Sequence, residues 1–263
     1  MSLATAAETI KQSIDPTLEA PRVPPPVDRP YFRVGYVLGR LAGVALLIPA
    51  LPIIAVLMVL VRITSPGPGI YRQVRVGLGG KTFVIYKIRT MRQNAEVGTG
   101  AVWASTHDPR MTRLGEFLRR VHLDEFPQLF NVVKGEMSLI GPRPERPEFT
   151  EVLAREIPEY LGRLRAKPGI TGLAQINLPP DTDLESVRRK VVLDSEYIDR
   201  AGPFLDVQIL CCTALRLLGL KGETCSRLTR LDRYLVCLAR LKKNKPAQGK
   251  QEPVAISAAV KPR

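Results

Sequence analysis

Two adjacent carboxylates, Asp124 and Glu125, stand in the stretch "HLDEFPQLFNVVKGEMSLIGPRP" (122–144) of a chain that is otherwise strongly basic. Phe126, Leu129, Phe130 and Val133 recur at i, i+3, i+4, i+7 and Gly135 follows as a stop. This spacing predicts a helix over 124–134 with Pro127 in its first turn. The two acids then open that helix, where unpaired N–H groups and the helix dipole favour ionised carboxylates. An ionised aspartate in such a place is a competent acceptor of a phosphoryl group or a ligand for a divalent metal. Gln128 and Asn131 extend a polar stripe on its side of the helix. Asp before Glu at a helix start is also an ordinary cap, and the pair alone does not separate the two readings. Immediately downstream, Arg143 is fixed between Pro142 and Pro144, a restricted setting for a guanidinium that can grip phosphate as a fork. A rigid arginine beside ionised Asp and Glu points to phosphoryl chemistry.

More cationic charge lies upstream in "SPGPGIYRQVRVGLGGKTFVIYKIRTM" (65–91). β-Branched and aromatic residues on either side of Gly79-Gly80 predict a hairpin. Period two puts Phe83, Ile85, Lys87 and Arg89 on one face of its second strand, so two cations continue an apolar face. They could cradle a phosphate or simply end the strand in solvent. "GLGGKT" is not a nucleotide loop: a P-loop needs Gly where Arg75 stands, and a GxGxxG starting at Gly77 needs Gly where Thr82 stands. His107 and His122 are too isolated for a metal site.

The elements that must hold these residues follow from composition and patterning. The chain has 263 residues with 39 Lys+Arg against 25 Asp+Glu, a formal net charge of +14. That length supports one good-sized core, and that charge favours nucleic acid, anionic lipid or phosphorylated small molecules. The least polar run, "LAGVALLIPALPIIAVLMVLV" (41–61), is uncharged and bracketed by Arg40 and Arg62. A straight helix of about 20 apolar residues crosses a bilayer, but Pro49 and Pro52 each remove a backbone donor and clash with the preceding turn. The arms 41–48 and 53–61 would each be about 12–14 Å long, roughly half a membrane. This predicts a Pro-broken segment that enters the bilayer and turns back. Arg22, Arg29, Arg33 and Arg40 before it, and Arg62, Arg72, Arg75 and Lys81 after it, place both ends on the cytoplasmic side. A kinked single span and a buried core helix are the alternatives.

Residues 1–30, polar and carrying "PPP" at 24–26, read as a disordered arm and not as a cleavable signal, and the basic tail 242–263 reads as disordered too. Leu114, Phe117, Leu118 and Val121 form one face of a helix whose remaining surface carries Arg113, Arg119 and Arg120, suited to lipid headgroups, a phosphate-rich site or plain solvent. Phe149, Val152, Leu153, Ile157, Tyr160, Leu161 and Leu164 give another helical face. "FLDVQILCCTALRLLGL" is an apolar-rich helix for the membrane interface or the core. Cys211, Cys212, Cys225 and Cys237 contain no CxxC pair and read as reduced, semi-buried thiols. The rival to an enzyme is a membrane-tethered basic module for anionic lipid or nucleic acid, with the dyad only a cap. Nucleic-acid readers pair cations with exposed stacking aromatics, whereas Phe126 and Phe130 fall on a core face, so nucleic acid is not expected.

Five motifs in order, "SPGPGIYRQVRVGLGGKTFVIYKIRTM", "DPRMTRLGEFLRR", "LDEFPQLFNVVKGEMSLIGPRPERPEF", "KPGITGLAQIN" and "LDSEYIDRAGPFLDVQIL", resemble the bacterial sugar transferase family over roughly 31–220. These are the monotopic polyprenyl-phosphate phosphoglycosyl transferases. The resemblance implies an α+β, membrane-associated protein: a re-entrant (Pro-broken) membrane helix, then a small cytoplasmic α/β catalytic domain with a β-hairpin and amphipathic interfacial helices. The corresponding division is an arm over 1–30, the membrane helix over 31–64, a catalytic domain over 65–220, a helical extension over 221–241 and the tail over 242–263. It implies transfer of a sugar 1-phosphate from a UDP-sugar to polyprenyl (undecaprenyl) phosphate, which starts a surface polysaccharide or glycoconjugate, on the cytoplasmic face of the bacterial inner membrane.

By the same resemblance Asp124 is the nucleophile, Glu125 a ligand of Mg2+, and Lys87, Arg89 and Arg143 contacts to substrate phosphate. Membrane lipids would be partners, and a homo-oligomer is left open. An ordinary glycosyl transferase, which releases the whole nucleoside diphosphate, is a second rival. Many members read "GWAQVNG" where this chain has "GLAQINL", so Leu173 and Leu178 depart from the pattern and the donor sugar is not specified. The chain would be the minimal, single-module form.

Overall fold

A computed structural model of the chain describes residues 22–95, 97 and 108–233. The expected tail, the first 21 residues of the expected arm, the end of the expected extension, His107 and Cys237 lie outside them.

Helix α1 (Pro30–Thr64) has 35 residues, about 52 Å at 1.5 Å per residue. Gly43, Ala50, Ile54, Leu57 and Val61 are buried at steps of 7, 4, 3 and 4, which trace one seam along it. Off the seam, Val37, Leu41, Val44, Ile48, Val56 and Ile63 stay exposed. Among the described residues α1 is the one helix long and apolar enough to cross a membrane, and its most apolar stretch is only 22% buried. The expected break into two arms is not seen: Pro49 and Pro52 lie inside a continuous helix. Each proline deletes one i→i−4 bond, while Ala50, Ile54 and Leu57 pack on Ile88, Leu118 and Leu129 and hold the helix across both.

Residues 22–29 are extended and docked, which corrects the expectation that the whole segment up to 30 is disordered. The Val27 N–H donates to Arg165 O at 2.9 Å. The Arg29 guanidinium donates to the carbonyls of Ile198, Asp199 and Ala201 at 3.0–3.1 Å. The chain ahead of α1 and the domain that follows it therefore form one body.

That domain mixes helices and short strands. Strands β1 (Ile70–Val76) and β2 (Thr82–Ile88) form the expected antiparallel hairpin, with Val74 opposite Val84. Its turn needs Gly79 and Gly80, at φ +63° and +81°. Helix α2 (Arg113–Arg120) is capped by the Thr112 hydroxyl, which accepts from Gly115 N. A 3-10 turn (Leu123–Glu125) leads into helix α3 (Gln128–Lys134). Strand β3 (Ser138–Ile140) then pairs in parallel with β4 (Gly169–Thr171). Between them run helix α4 (Pro147–Glu156) and a 3-10 segment (Tyr160–Arg165). The face expected as one helix over this region is thus split in two, yet Leu153, Ile157, Tyr160 and Leu164 still share a core with Val187 and Val191.

Helices α5 (Leu173–Asn177), α6 (Leu184–Arg200), α7 (Pro203–Leu217) and α8 (Gly222–Leu228) complete the described chain. Leu173 is buried in a core with Phe32, Ile140, Tyr197 and Ile209. In α7, Ile209 and Cys212 are buried while Phe204, Val207, Leu210 and Leu217 are exposed. Helix α1 approaches α3 so closely that a Cβ at Gly43 would stand 2.9 Å from Val132 Cγ1.

Candidate active site

Three segments meet at Glu125. Lys87 Nζ donates to Glu125 Oε1 at 2.9 Å. Arg143 grips the same carboxylate as a fork, Nη2 to Oε1 at 2.5 Å and Nη1 to Oε2 at 3.3 Å. Lys87 arrives by strand alternation: Ile85, two residues earlier on the same face of β2, is buried against Val132 and Met137. The dyad arrives by a sharp turn in which His122 takes the left-handed conformation, φ +57°. Arg143 arrives on the Pro142–Pro144 segment after β3, whose carbonyls are tied down one by one. Pro142 O accepts from Gly169 N at 3.0 Å, Arg143 O from Arg163 Nη2 at 2.8 Å and Pro144 O from Arg75 Nη1 at 3.1 Å. Arg163 is itself held by Asp194 Oδ2, at 3.0 and 2.7 Å from Nε and Nη2, and by Tyr160 Oη at 3.0 Å.

The dyad does not open the α-helix, contrary to the expectation from the sequence spacing. Pro127 caps α3, which starts at Gln128. Because Pro127 has no N–H to give to Leu123 O, the α-helical ladder cannot run back through the acids. They sit instead in a turn closed by Phe126 N to Leu123 O at 3.4 Å and Glu125 N to His122 O at 3.3 Å. The two carboxyl groups consequently differ. Burial would raise Glu125, but Arg143 and Lys87 override it and hold it well below the usual carboxylate range. Asp124 is 5% exposed, and its carboxyl group has no hydrogen-bond partner among the described residues. Burial pushes its pKa up, with Lys87, Arg119 and Arg143 pulling the other way. Lys87 is lowered by burial against the pull of Glu125, and Arg143 is raised by Glu125.

Arg89 does not join the cluster. Strand β2 ends at Ile88, so the period-two projection stops short, and the Arg89 guanidinium donates to Ser65 O and Pro66 O at 2.6 Å beyond the end of α1. Asn131 is structural as well: its amide bonds Tyr86 N and Val84 O and locks α3 to β2. Gln128 is buried, and its Nε2 has no hydrogen-bond partner among the described residues. Arg119, which patterning put on a basic helix face, brings its charge to bear on Asp124 while Thr90 Oγ1 anchors its Nε at 3.0 Å. Its position five residues before Asp124 gives no sign of this, because the left-handed His122 folds the chain back.

No three His, Cys, Asp or Glu side chains among the described residues group as a ready metal cage. Two neighbouring carboxylates, one of them without a hydrogen-bond partner, fit Mg2+, which needs one or two carboxylates when phosphate oxygens complete its shell.

Residues 33–219 match the family described as bacterial sugar transferase. The chain belongs to that family. A Bacillus subtilis protein provisionally named as an undecaprenyl-phosphate N-acetylgalactosaminyl 1-phosphate transferase is 59% identical over 115 residues, 44% of this chain and 64% of the relative. A UDP-glucose:undecaprenyl-phosphate glucose-1-phosphate transferase of Xanthomonas campestris pv. campestris is 41% identical, covering 74% of this chain and 41% of the relative. A UDP-N-acetylgalactosamine-undecaprenyl-phosphate N-acetylgalactosaminephosphotransferase of Aeromonas hydrophila is 44% identical over 64% of this chain and 41% of its own length. The chain thus spans between about two fifths and two thirds of the length of these relatives. The family match takes in all of the cluster, from Lys87 through Asp124 and Glu125 to Arg143.

Proposed function

We propose that the chain transfers a sugar 1-phosphate from a UDP-sugar to a polyprenyl phosphate at a membrane surface, in two steps through Asp124. The observation that carries this reading is the pairing of unlike carboxylates. Glu125 is paired with Lys87 and Arg143, while Asp124 is buried with no hydrogen-bond partner among the described residues and is acted on by the same cations. A desolvated, unbonded carboxylate is a better nucleophile than a paired one. In the first step an Asp124 oxygen attacks the sugar-bearing phosphorus, the bond to the bridging oxygen breaks, and UMP leaves. In the second, the phosphate of the polyprenyl acceptor attacks the same phosphorus, the bond to Asp124 breaks, and a diphosphate-linked lipid leaves. On substrate binding Arg143 and Lys87 would turn from Glu125 to the diphosphate oxygens, which frees the Glu125 carboxylate, and Arg119 adds positive charge on the Asp124 side. Glu125 with the diphosphate would hold Mg2+, which supplies further neutralisation of phosphate charge. The lipid product would start a surface polysaccharide or glycoconjugate.

The same-side topology draws support from residues 22–29, which bond to the domain that follows α1. A helix spanning the bilayer would put these partners on opposite sides of it. The exposed side of α1 would then sit in the cytoplasmic leaflet, with the domain on the cytoplasmic face.

Purified chain given a panel of UDP-sugars and undecaprenyl phosphate is expected to release UMP, and donor labelled in the sugar is expected to mark the protein when acceptor is absent. UDP as product would replace this mechanism by ordinary glycosyl transfer. Excess EDTA is expected to abolish turnover, and full activity under chelation would remove Mg2+ from the account.

A further inference from the structure

A pair of cations that do not contact Asp124 or Glu125 has no function in the mechanism above. Arg40, in the first third of α1, is exposed and donates from Nε to Val133 O at 3.1 Å. Its guanidinium lies over Gly135, where a Cβ would stand 3.6 Å from Cζ. One helical turn earlier on the same face, Tyr36 holds Lys167 twice. The Tyr36 hydroxyl accepts from Lys167 N at 2.9 Å, and its ring lies 4.6 Å from Nζ. Burial lowers the Lys167 amine, and the Arg40 charge lowers it further. No carboxylate pairs with either cation among the described residues.

Arg40 and Lys167, anchored at consecutive turns of one face of α1, carry like charges that raise each other's energy, and an anion close to both relieves this. The Ser138 hydroxyl, 3.7 Å from where a Cβ on Gly39 would be, offers a neutral donor next to the residue that precedes Arg40. The neighbours on the other side are apolar: Val37 is 59% and Leu41 63% exposed, and Val44 is exposed one turn further on. An anion that satisfies both surroundings has a phosphate next to hydrocarbon chains.

We propose that Arg40, Lys167 and Ser138 form a binding site for the headgroup phosphate of an anionic membrane phospholipid, at the border of the exposed apolar face of α1. Such a lipid would fix how deep α1 lies and how the domain tilts over the leaflet.

This proposal rests on the membrane-bound reading, which sedimentation of the chain with neutral phosphatidylcholine vesicles tests separately. The site itself is read by thermal unfolding of the full chain in neutral detergent with phosphatidylglycerol, phosphatidylcholine or inorganic phosphate added. Phosphatidylglycerol is expected to raise Tm by about 3–5 °C, and the other two by less than about 1 °C. The shift is expected to vanish in R40Q/K167Q and to persist in K221Q/R227Q, which loses the same charge from exposed positions near α8. K167Q alone keeps the Arg40 bond to Val133 O and guards against a folding failure of the double variant; it is expected to lose about half the shift. An undiminished shift in K167Q and R40Q/K167Q, an equal shift with inorganic phosphate, or no shift in the wild type would each overturn the proposal.

Discussion

At the scale of single residues, neighbours in sequence have opposite environments. Asp124, the proposed nucleophile, is raised by burial, so its carboxyl titrates higher in the folded chain than in the unfolded one. Such a group favours folding below its unfolded pKa, and that contribution is lost as pH rises through the folded value. Asp124→Asn is therefore expected to abolish turnover, by about three orders of magnitude or more, while leaving Tm at neutral pH unchanged or higher. The acid limb of kcat/KM against pH is expected above the ordinary Asp range of about 3.9. A limb at or below that value would contradict the assignment.

Glu125 is the reverse case. Its lowered pKa stabilises the fold above the unfolded value, and the gain is lost as pH falls through the folded one. Glu125→Gln removes the counter-charge of Lys87 and Arg143, and urea unfolding at neutral pH is expected to show a loss of about 1–3 kcal/mol. The difference from wild type should shrink in strong acid.

At the scale of elements, the candidate site depends on a strand end, a strained turn and a proline-flanked loop, each pinned from behind. The brace behind Arg143 is the Arg163–Asp194 pair, with both side chains 2% exposed. Removing one partner of a buried pair leaves the other charge uncompensated, so Asp194→Ala is expected to cost about 3–5 kcal/mol in chemical denaturation. Tyr160→Phe removes one hydrogen bond to Arg163 and is expected to cost about 0.5–1.5 kcal/mol. Helix α2 shows how far patterning reaches. Of its expected apolar face, Leu118 is fully buried, but Phe117 is 53% exposed.

At the scale of the whole molecule, α1 is both a scaffold and an apolar surface. Its seam packs on the domain from Phe32 to Val61, while Val37, Leu41, Val44, Ile48, Val56 and Ile63 on its other side stay exposed. Single cysteines at Ser13 and Ser257 in a thiol-free background are expected to resist a membrane-impermeant maleimide in intact spheroplasts, and to react after lysis. Labelling of one of them in intact cells would establish a full span and refute the same-side reading.

Patterning alone determined the hairpin, from period two and Gly79-Gly80, and an apolar helix, from an uncharged run between Arg40 and Arg62, though not its continuity through Pro49 and Pro52; it named Lys87, Asp124, Glu125 and Arg143 as candidates while leaving a strand end and a helix cap open. These are local properties, carried by spacing within a few residues. It misplaced the start of α3, because one missing N–H at Pro127 outweighs the apolar period. It also projected Arg89 past the end of its strand. Only the tertiary structure decided that Lys87 and Arg143, 38 and 18 residues from Glu125, close on that one carboxylate and leave Asp124 without a hydrogen-bond partner among the described residues. Burial and pairing belong to the packed whole: a carboxylate's desolvation is set by which distant segments cover it, and no spacing in the chain records that.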